Sequence, residues 1–252
     1  MSGADPDGAG STTDATALGT AGIAGRGAPK LVIVGDSAIA EIAYEYFTHD
    51  SDYEVAAFAV DAEFLRRSEL FGLPVVDFDT LEERFPPSGY HLFVAIGYNQ
   101  LNRLRTRFYR EGKRRGYRFA SYVSSRAFVW RNVAIGENCF IFENNVLQPF
   151  VRVGDNVILW SGNHIGHHST IGDHCFIASH VVISGFCDVE ESCFIGVNAT
   201  VANNVRIARD CLIGAGATVL RDTEPGLIYG ATATPAAERS ARSYFKVPDG
   251  IP

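Results

Sequence analysis

Across the second half of the chain one aliphatic side chain returns every six residues: Val123, Val129, Ile135, Ile141, Leu147, Val153, Leu159, Ile165, Ile171, Ile177, Ile183, Val189, Ile195, Val201, Ile207, Ile213 and Val219. That is seventeen consecutive positions, filled by a residue class that supplies roughly a quarter of ordinary sequence, which lies far outside chance. A short fixed period predicts a solenoid, here one with flat sides of one hexapeptide each. Two positions before the aliphatic runs a column of smaller residues, among them Val133, Cys139, Asn145, Cys175, Cys187, Cys193 and Cys211, which takes in all five cysteines of the chain. Small polarisable thiols suit a narrow apolar interior. Directly after the aliphatic, Gly136, Gly154, Gly166, Gly172, Gly196 and Gly214 are expected to supply the permissive backbone of the corners.

Ahead of the repeat the pattern is different. Leu31 to Val34 is a short apolar run closed by Gly35, and Ile39 to Phe47 follows with helical spacing. Val55 to Val60 ends at Asp61, and Leu92 to Ile96 ends at Gly97 and leads into a basic stretch from Gln100 to Gly116. Strands alternating with helices predict a small parallel sheet in an α/β, Rossmann-like domain. The basic run from Arg103 to Arg118 reads as a solvated helix face. Residues 1–29 are almost entirely small and polar and are expected to form a disordered leader. The expected organisation is therefore a leader over 1–29, an α/β domain over 30–121, the solenoid over 122–222 and a tail over 223–252.

Composition narrows the function. The 252 residues are 46% apolar with a net charge of -7, which suits a globular protein and speaks against a nucleic-acid surface. No apolar run reaches the eighteen or so residues of a membrane span, and no cationic segment precedes an apolar one at the amino terminus. A cytoplasmic location without membrane insertion is expected. There is no Cys-x-x-Cys spacing, so neither disulfides nor zinc is called for. Gly35-Asp36-Ser37-Ala38-Ile39 lacks the Gly-x-Gly-x-x-Gly dinucleotide fingerprint, yet such a turn still offers backbone N–H groups at a helix amino terminus.

The order of parts, with Ala95-Ile96-Gly97-Tyr98-Asn99 closing the α/β domain and Ile165-Gly166-His167-His168-Ser169-Thr170-Ile171-Gly172 inside the repeat, resembles the sialic acid O-acetyltransferase and bacillosamine N-acetyltransferase family over roughly residues 30–235. The resemblance implies a left-handed parallel β-helix of three hexapeptides per coil, homotrimers, acetyl-coenzyme A in a groove between neighbouring β-helices, and a nucleotide-linked sugar in the α/β domain. His167 aligns with the family's general base, and an imidazole suits proton removal from an amine or hydroxyl attacking a thioester. His168 stands where the family often has Glu.

One coil is eighteen residues, so Gly185 is expected to stack on His167, and in the family the equivalent glycine gives its N–H to the thioester oxygen. By the same alignment Val197 and Ala215 contact coenzyme A, His164 lines the groove, and Ser37, Ala38, Asp61 and Gly97 border the nucleotide. A γ-class carbonic anhydrase, which shares this fold, would need three histidines on zinc. His168, His174 and His180 fall on successive sides and are expected to point apart, with His174 and His180 as solvated edge residues or coenzyme neighbours. No metal is expected. The reading is an acetyltransferase of surface-polysaccharide biosynthesis acting on an amino or hydroxyl group of a nucleotide sugar. Donors other than acetyl, or a non-catalytic assembly module, are the alternatives.

Overall fold

A computed structural model of the protein describes residues 28–232, 235–236, 238 and 240–248. The expected leader therefore lies almost wholly outside the described residues, as do parts of the expected tail.

The first domain is a doubly wound α/β unit. Strand β1 (Lys30–Val34) is followed by helix α1 (Ala38–His49), β2 (Glu54–Val60), β3 (Glu69–Leu70), β4 (Leu73–Asp77), β5 (Tyr90–Val94), α2 (Arg103–Arg114) and β6 (Arg118–Phe119). The sheet order is β3-β4-β2-β1-β5-β6, parallel except for the β3–β4 hairpin. That hairpin was not visible in the pattern, because its two strands are too short to show alternation. Alternating residues of β1 point to opposite faces. Leu31 and Ile33 join α1 and the aromatic side chains Phe140 and Phe176 of the solenoid in one core, while Val32 and Val34 pack with Phe108 of α2 in another. Burial on both faces is what makes the strands read as continuous apolar runs.

From Tyr122–Val123 to Ile228–Tyr229 the chain winds as a three-sided parallel β-helix. Along the coils a two-residue strand pairs with the one eighteen residues on, as Phe140 pairs with Ile158 and His164 with Val182, and the spacing shortens to sixteen only at the final pair, Leu212 with Ile228. Face one begins at Tyr122–Val123, face two at Phe128–Val129 and face three at Ala134–Ile135. The expected fold class, an α/β domain with a small parallel sheet followed by a left-handed parallel β-helix, is the one observed. The repeat aliphatics fill the prism, each at most 6% exposed from Ile141 to Val219. Only the first coil departs, with Val129 and Ile135 partly buried and Val123 exposed, because no coil lies beneath it.

All five cysteines are buried and free. They do more than fill space. The thiols of Cys139, Cys175, Cys187, Cys193 and Cys211 donate to the backbone carbonyls of Gly154, Glu190, Ala202, Ala208 and Glu224 at 3.0–3.2 Å. Ser169 makes the same bond to Ser184 at 2.9 Å. Burial pushes the Cys139 thiol up to about 12, so it stays a protonated donor.

The corners correct the sequence reading. The left-handed residue sits three positions after each aliphatic, not one: every such position from 138 to 216 has φ between +53° and +78°. Asn138, Asn156, His174, Ser192 and Asp210 turn from face three to face one; Asn144, Gly162, His180 and Asn198 from face one to face two; Phe150, His168, Phe186 and Asn204 from face two to face three. Asn and Asp tolerate this region best among residues with a Cβ. The glycines after the aliphatics are needed for a different reason. A Cβ on Gly166 would lie 2.5 Å from the backbone carbon of Ser184 in the next coil.

The corner from face three to face one is buried under α2, which overturns the reading of His174 as a solvated edge residue. Val94 N–H donates to Asn138 Oδ1 at 2.7 Å, Asn138 Nδ2 to Asn156 Oδ1 at 2.7 Å, and Asn156 Nδ2 to His174 Nδ1 at 3.0 Å. The basic run is corrected too. Arg105 is wholly buried, and α2 also buries Thr106, Phe108, Tyr109 and Gly112. Arg103, Arg107, Lys113 and Arg114 remain outside in ion pairs with Asp210, Asp61, Glu137 and Glu111.

Desolvation pulls the His174 pKa down to about 4, with Arg110 and Arg105 adding to the fall and Asp173 opposing it. A histidine whose folded pKa lies below its unfolded value of about 6.5 gives stability present above pH 6.5 and lost as pH falls toward 4. Asn at this position keeps an acceptor for Asn156 and does not titrate. Denaturant titrations between pH 7 and 4 are expected to show a shallower loss of stability in His174→Asn than in the wild type; parallel curves would remove His174 from the account.

Candidate active site at two corners of the prism

His167 lies at the corner between faces two and three, on the exposed side of the chain. Its backbone N–H donates to Gln148 Oε1 at 2.9 Å, and its carbonyl accepts from Phe186 N–H at 3.0 Å. The ring lies over Gly185 one coil on. A Cβ added there would meet Cε1 at 2.8 Å and Nε2 at 2.9 Å, so only glycine leaves the imidazole in place. Gly185 N–H donates to Asn203 Oδ1 at 2.9 Å. The role that the resemblance gives that N–H therefore requires the Asn203 amide to turn away, and what the position offers directly is space.

His167 Nδ1 stands 3.2 Å from His168 Nδ1. His168 has φ +60° and is held in an aromatic stack, with ring centroids 4.5 Å from Phe150 and 4.8 Å from Phe186. Phe186 also meets the His167 ring edge-on at 5.0 Å. The left-handed corner is what lets consecutive histidines face each other. In extended backbone their side chains would point to opposite faces. Neither phenylalanine was singled out in the sequence, though both sit eighteen residues from His168.

Val197 and Ala215 stack eighteen residues apart at the other edge of face two, the corner from face one, where Gly216 N–H donates to Val197 O at 2.8 Å. Both are exposed and line a cleft of about 410 Å³ with Tyr98, Trp160, Phe176 and Phe194. One chain thus does not bring His167 and Gly185 together with Val197 and Ala215; face two separates them. His164 is half-buried on face two in register with Val146 and Val182, without a ring contact to His167 among the described residues.

Ser37, Asp61 and Gly97 meet in a cavity of about 400 Å³ at the carboxyl ends of β1, β2 and β5, together with Asn99, Phe64 and Tyr98. Ligands of open α/β sheets bind at this edge. Ala38, the first residue of α1, is not part of the lining. Ser37 caps α1 by position, without a side-chain hydrogen bond. Gly35 has φ +122°, and a Cβ there would lie 2.8 Å from Ala95 O. Asp36 and Asp61 are paired with Arg67 and Arg107.

His168, His174 and His180 occupy three different corners, and among the described residues no group of three His, Cys, Asp or Glu side chains is placed to hold a metal ion. No helix among the described residues is long and apolar enough to cross a membrane.

The bacterial transferase hexapeptide (six repeats) family profile matches residues 132–166, 151–185 and 186–221. The three matches lie wholly within the β-helix. No curated protein sequence matches it. Among solved structures it is similar to PerB from Caulobacter crescentus in complex with CoA and GDP-perosamine, at 29% identity over 82% of this chain and 96% of that one, with a TM-score of 0.69. A histidine-to-asparagine variant of the perosamine N-acetyltransferase from the same organism gives 27% identity over 84% and 96%, with a TM-score of 0.72. The acetyltransferase domain of PglB from Neisseria gonorrhoeae shares the fold at 21% identity over 81% and 97%, with a TM-score of 0.73. The β-helix thus carries the hexapeptide repeat of bacterial transferases, and the chain as a whole is similar in fold to sugar N-acetyltransferases.

Proposed function

We propose that the protein moves an acetyl group from acetyl-coenzyme A to an amino, or alternatively a hydroxyl, group of a nucleotide-activated sugar, with His167 as general base. The observation that carries this reading is the His167 imidazole held over Gly185 with Nδ1 against His168. With the His167 proton on Nδ1 and donated to His168 Nδ1, Nε2 keeps a lone pair at the open corner. Nε2 takes a proton from the amine as its nitrogen attacks the thioester carbonyl carbon. The tetrahedral intermediate then expels the coenzyme A thiolate, which takes that proton back from the imidazolium. His168 is a positioning residue here, fixing the tautomer as a carboxylate does in related sites, without the negative charge.

The separation of the two half-sites supports a trimeric enzyme. Face two exposes Phe128, Trp130, Val182 and Leu220 between the two corners. Three prisms set with this apolar face toward a common axis place the His167 corner of each against the Val197 and Ala215 corner of the next. The groove between them takes coenzyme A, and the cavity at Ser37, Asp61 and Gly97 takes the nucleotide. Solved structures similar to it fit: the PerB structure contains CoA and GDP-perosamine, and one PglB domain structure contains acetyl coenzyme A. Sugar nucleotides of this kind serve surface-polysaccharide assembly, which a cytoplasmic enzyme supplies.

Release of coenzyme A is measured against a panel of nucleotide amino sugars with acetyl and longer donors. Turnover with acetyl-coenzyme A and at least one such sugar is expected. No turnover with any member would overturn the reading. Gly185→Val is expected to lower turnover at least ten-fold without lowering the melting temperature by more than a few degrees, because the new side chain displaces the His167 ring while the prism aliphatics stay in place. An unchanged rate would return Gly185 to a purely structural role.

A further inference from the structure

Among the described residues, Tyr98 alone lines both the α/β cavity at the strand ends and the aromatic cleft on face one. Its ring rests on Phe176 and Phe194, at centroid distances of 5.1 and 4.8 Å, and still leaves the residue 56% exposed. An aromatic residue propped from behind, with its remaining surface turned to two cavities, is built as a platform.

The backbone that carries it is held in an uncommon conformation. Gln100, Leu101 and Asn102 have φ of +53°, +49° and +67°, three consecutive left-handed residues with no glycine among them. Such strain persists only where surrounding contacts over-determine it, and it concentrates at ligand sites. The contacts are present. Asn102 N–H donates to Tyr98 O at 3.1 Å, and the buried Asn102 side chain donates to Cys193 O of the β-helix at 3.2 Å. Arg105 donates to Gly97 O at 2.9 Å and, from the same guanidinium, to His174 O at 3.0 Å and Cys175 O at 3.1 Å. The segment from Ile96 to Asn102 is thereby fixed to two separate coils.

We propose that Tyr98 is the residue on which the sugar of the nucleotide sugar rests as it passes from the nucleotide cavity toward the acetyl group, an inference that builds on the acyl-transfer reading above. The chemistry fits a pyranose: its C–H face packs on the aromatic surface, while its polar groups point away toward solvent and the attacking atom toward the cleft. Asp61 and Ser37 line the same cavity from the α/β domain and are left to the nucleotide. The residue accordingly serves the sugar and not the base.

The discriminating measurement is calorimetric titration of the full chain with GDP-perosamine and, separately, with GDP. The wild type is expected to bind the sugar nucleotide more tightly than the nucleoside diphosphate that lacks the perosamine. Tyr98→Leu, which keeps an apolar contact to Phe176 and Phe194, is expected to lose roughly five- to ten-fold in affinity for GDP-perosamine, to stay within two-fold for GDP, and to melt like the wild type. Tyr98→Phe is expected to bind both as the wild type does. Equal loss for GDP and GDP-perosamine, or no loss for either, overturns the role given to Tyr98 while leaving the acyl-transfer reading in place. A wild type that binds neither probe overturns the role given to Tyr98, and one that also turns over no member of the nucleotide-sugar panel overturns both.

Discussion

His167→Ala is expected to reduce kcat by roughly 10²- to 10⁴-fold with little change in coenzyme A affinity, the usual worth of a positioned general base. The size follows from what the residue does. Its ring is the group that covers Gly185 and presents Nε2 at the open corner, and its removal leaves Gln148, Gly185 and the stacked Phe186 where they are. His168→Ala is expected to cost less, because it touches the reacting atoms only through His167 Nδ1. Steady-state kinetics with saturating acetyl donor measures both. Full activity in His167→Ala, with activity abolished in His164→Ala or His168→Ala, would move the base elsewhere on the same coil.

The largest effect on stability is expected at Arg105. Its guanidinium is wholly buried and meets no carboxylate; it donates to the carbonyls of Ile96, Gly97, Asn156, His174 and Cys175 and to Asn102 Oδ1. Burial pulls its pKa down to about 10, which leaves it charged at neutral pH. Arg105→Ala removes the donors, leaves several buried carbonyls without that partner and opens a cavity between α2 and the coils. A loss of about 3–5 kcal/mol is expected, and a fall in Tm on the order of 10 °C. Arg105→Lys restores the charge but not the fork of donors, so it is expected to recover only part. A loss under about 1 kcal/mol for Arg105→Ala, by chemical denaturation, would show that water replaces the guanidinium without penalty.

The same residue marks where sequence stops being legible. The aliphatic column is periodic because every coil repeats one local environment, so Ile141 to Val219 could be placed inside the prism from spacing alone. Stacking of Gly185 on His167 follows from the same eighteen-residue arithmetic. Arg105 and His174 depend instead on α2 docking against the corner that carries Asn138 and Asn156, a contact between distant segments with no period of its own. In sequence Arg105 is one more cation among Arg103, Arg107 and Arg110. The corner residues were misassigned for a local reason. In sequence a glycine signals a permissive corner, yet at Asn138, His168 and Phe186 residues with a Cβ adopt the positive φ, and the glycines next to the aliphatics answer to the close approach of the following coil. Ser37, Asp61 and Gly97, named from the family alignment, come together because the strand ends of an α/β sheet converge, whereas Tyr98 faces a second cavity that exists only once the β-helix is in place.

The central claim, that His167 of one chain works with the Val197 and Ala215 corner of the next, is tested by mixing two inactive forms. Chains carrying His167→Ala are co-expressed with chains carrying Val197→Trp and Ala215→Trp, under different affinity tags, and the doubly tagged trimers are assayed for coenzyme A release. Each parent alone is expected to be inactive. Every trimer that holds both kinds of chain has one interface of its three that pairs an intact His167 corner with an intact Val197 and Ala215 corner, so turnover of about a third of the wild-type value is expected. Hybrid trimers no more active than their parents would show that the two corners do not form one site.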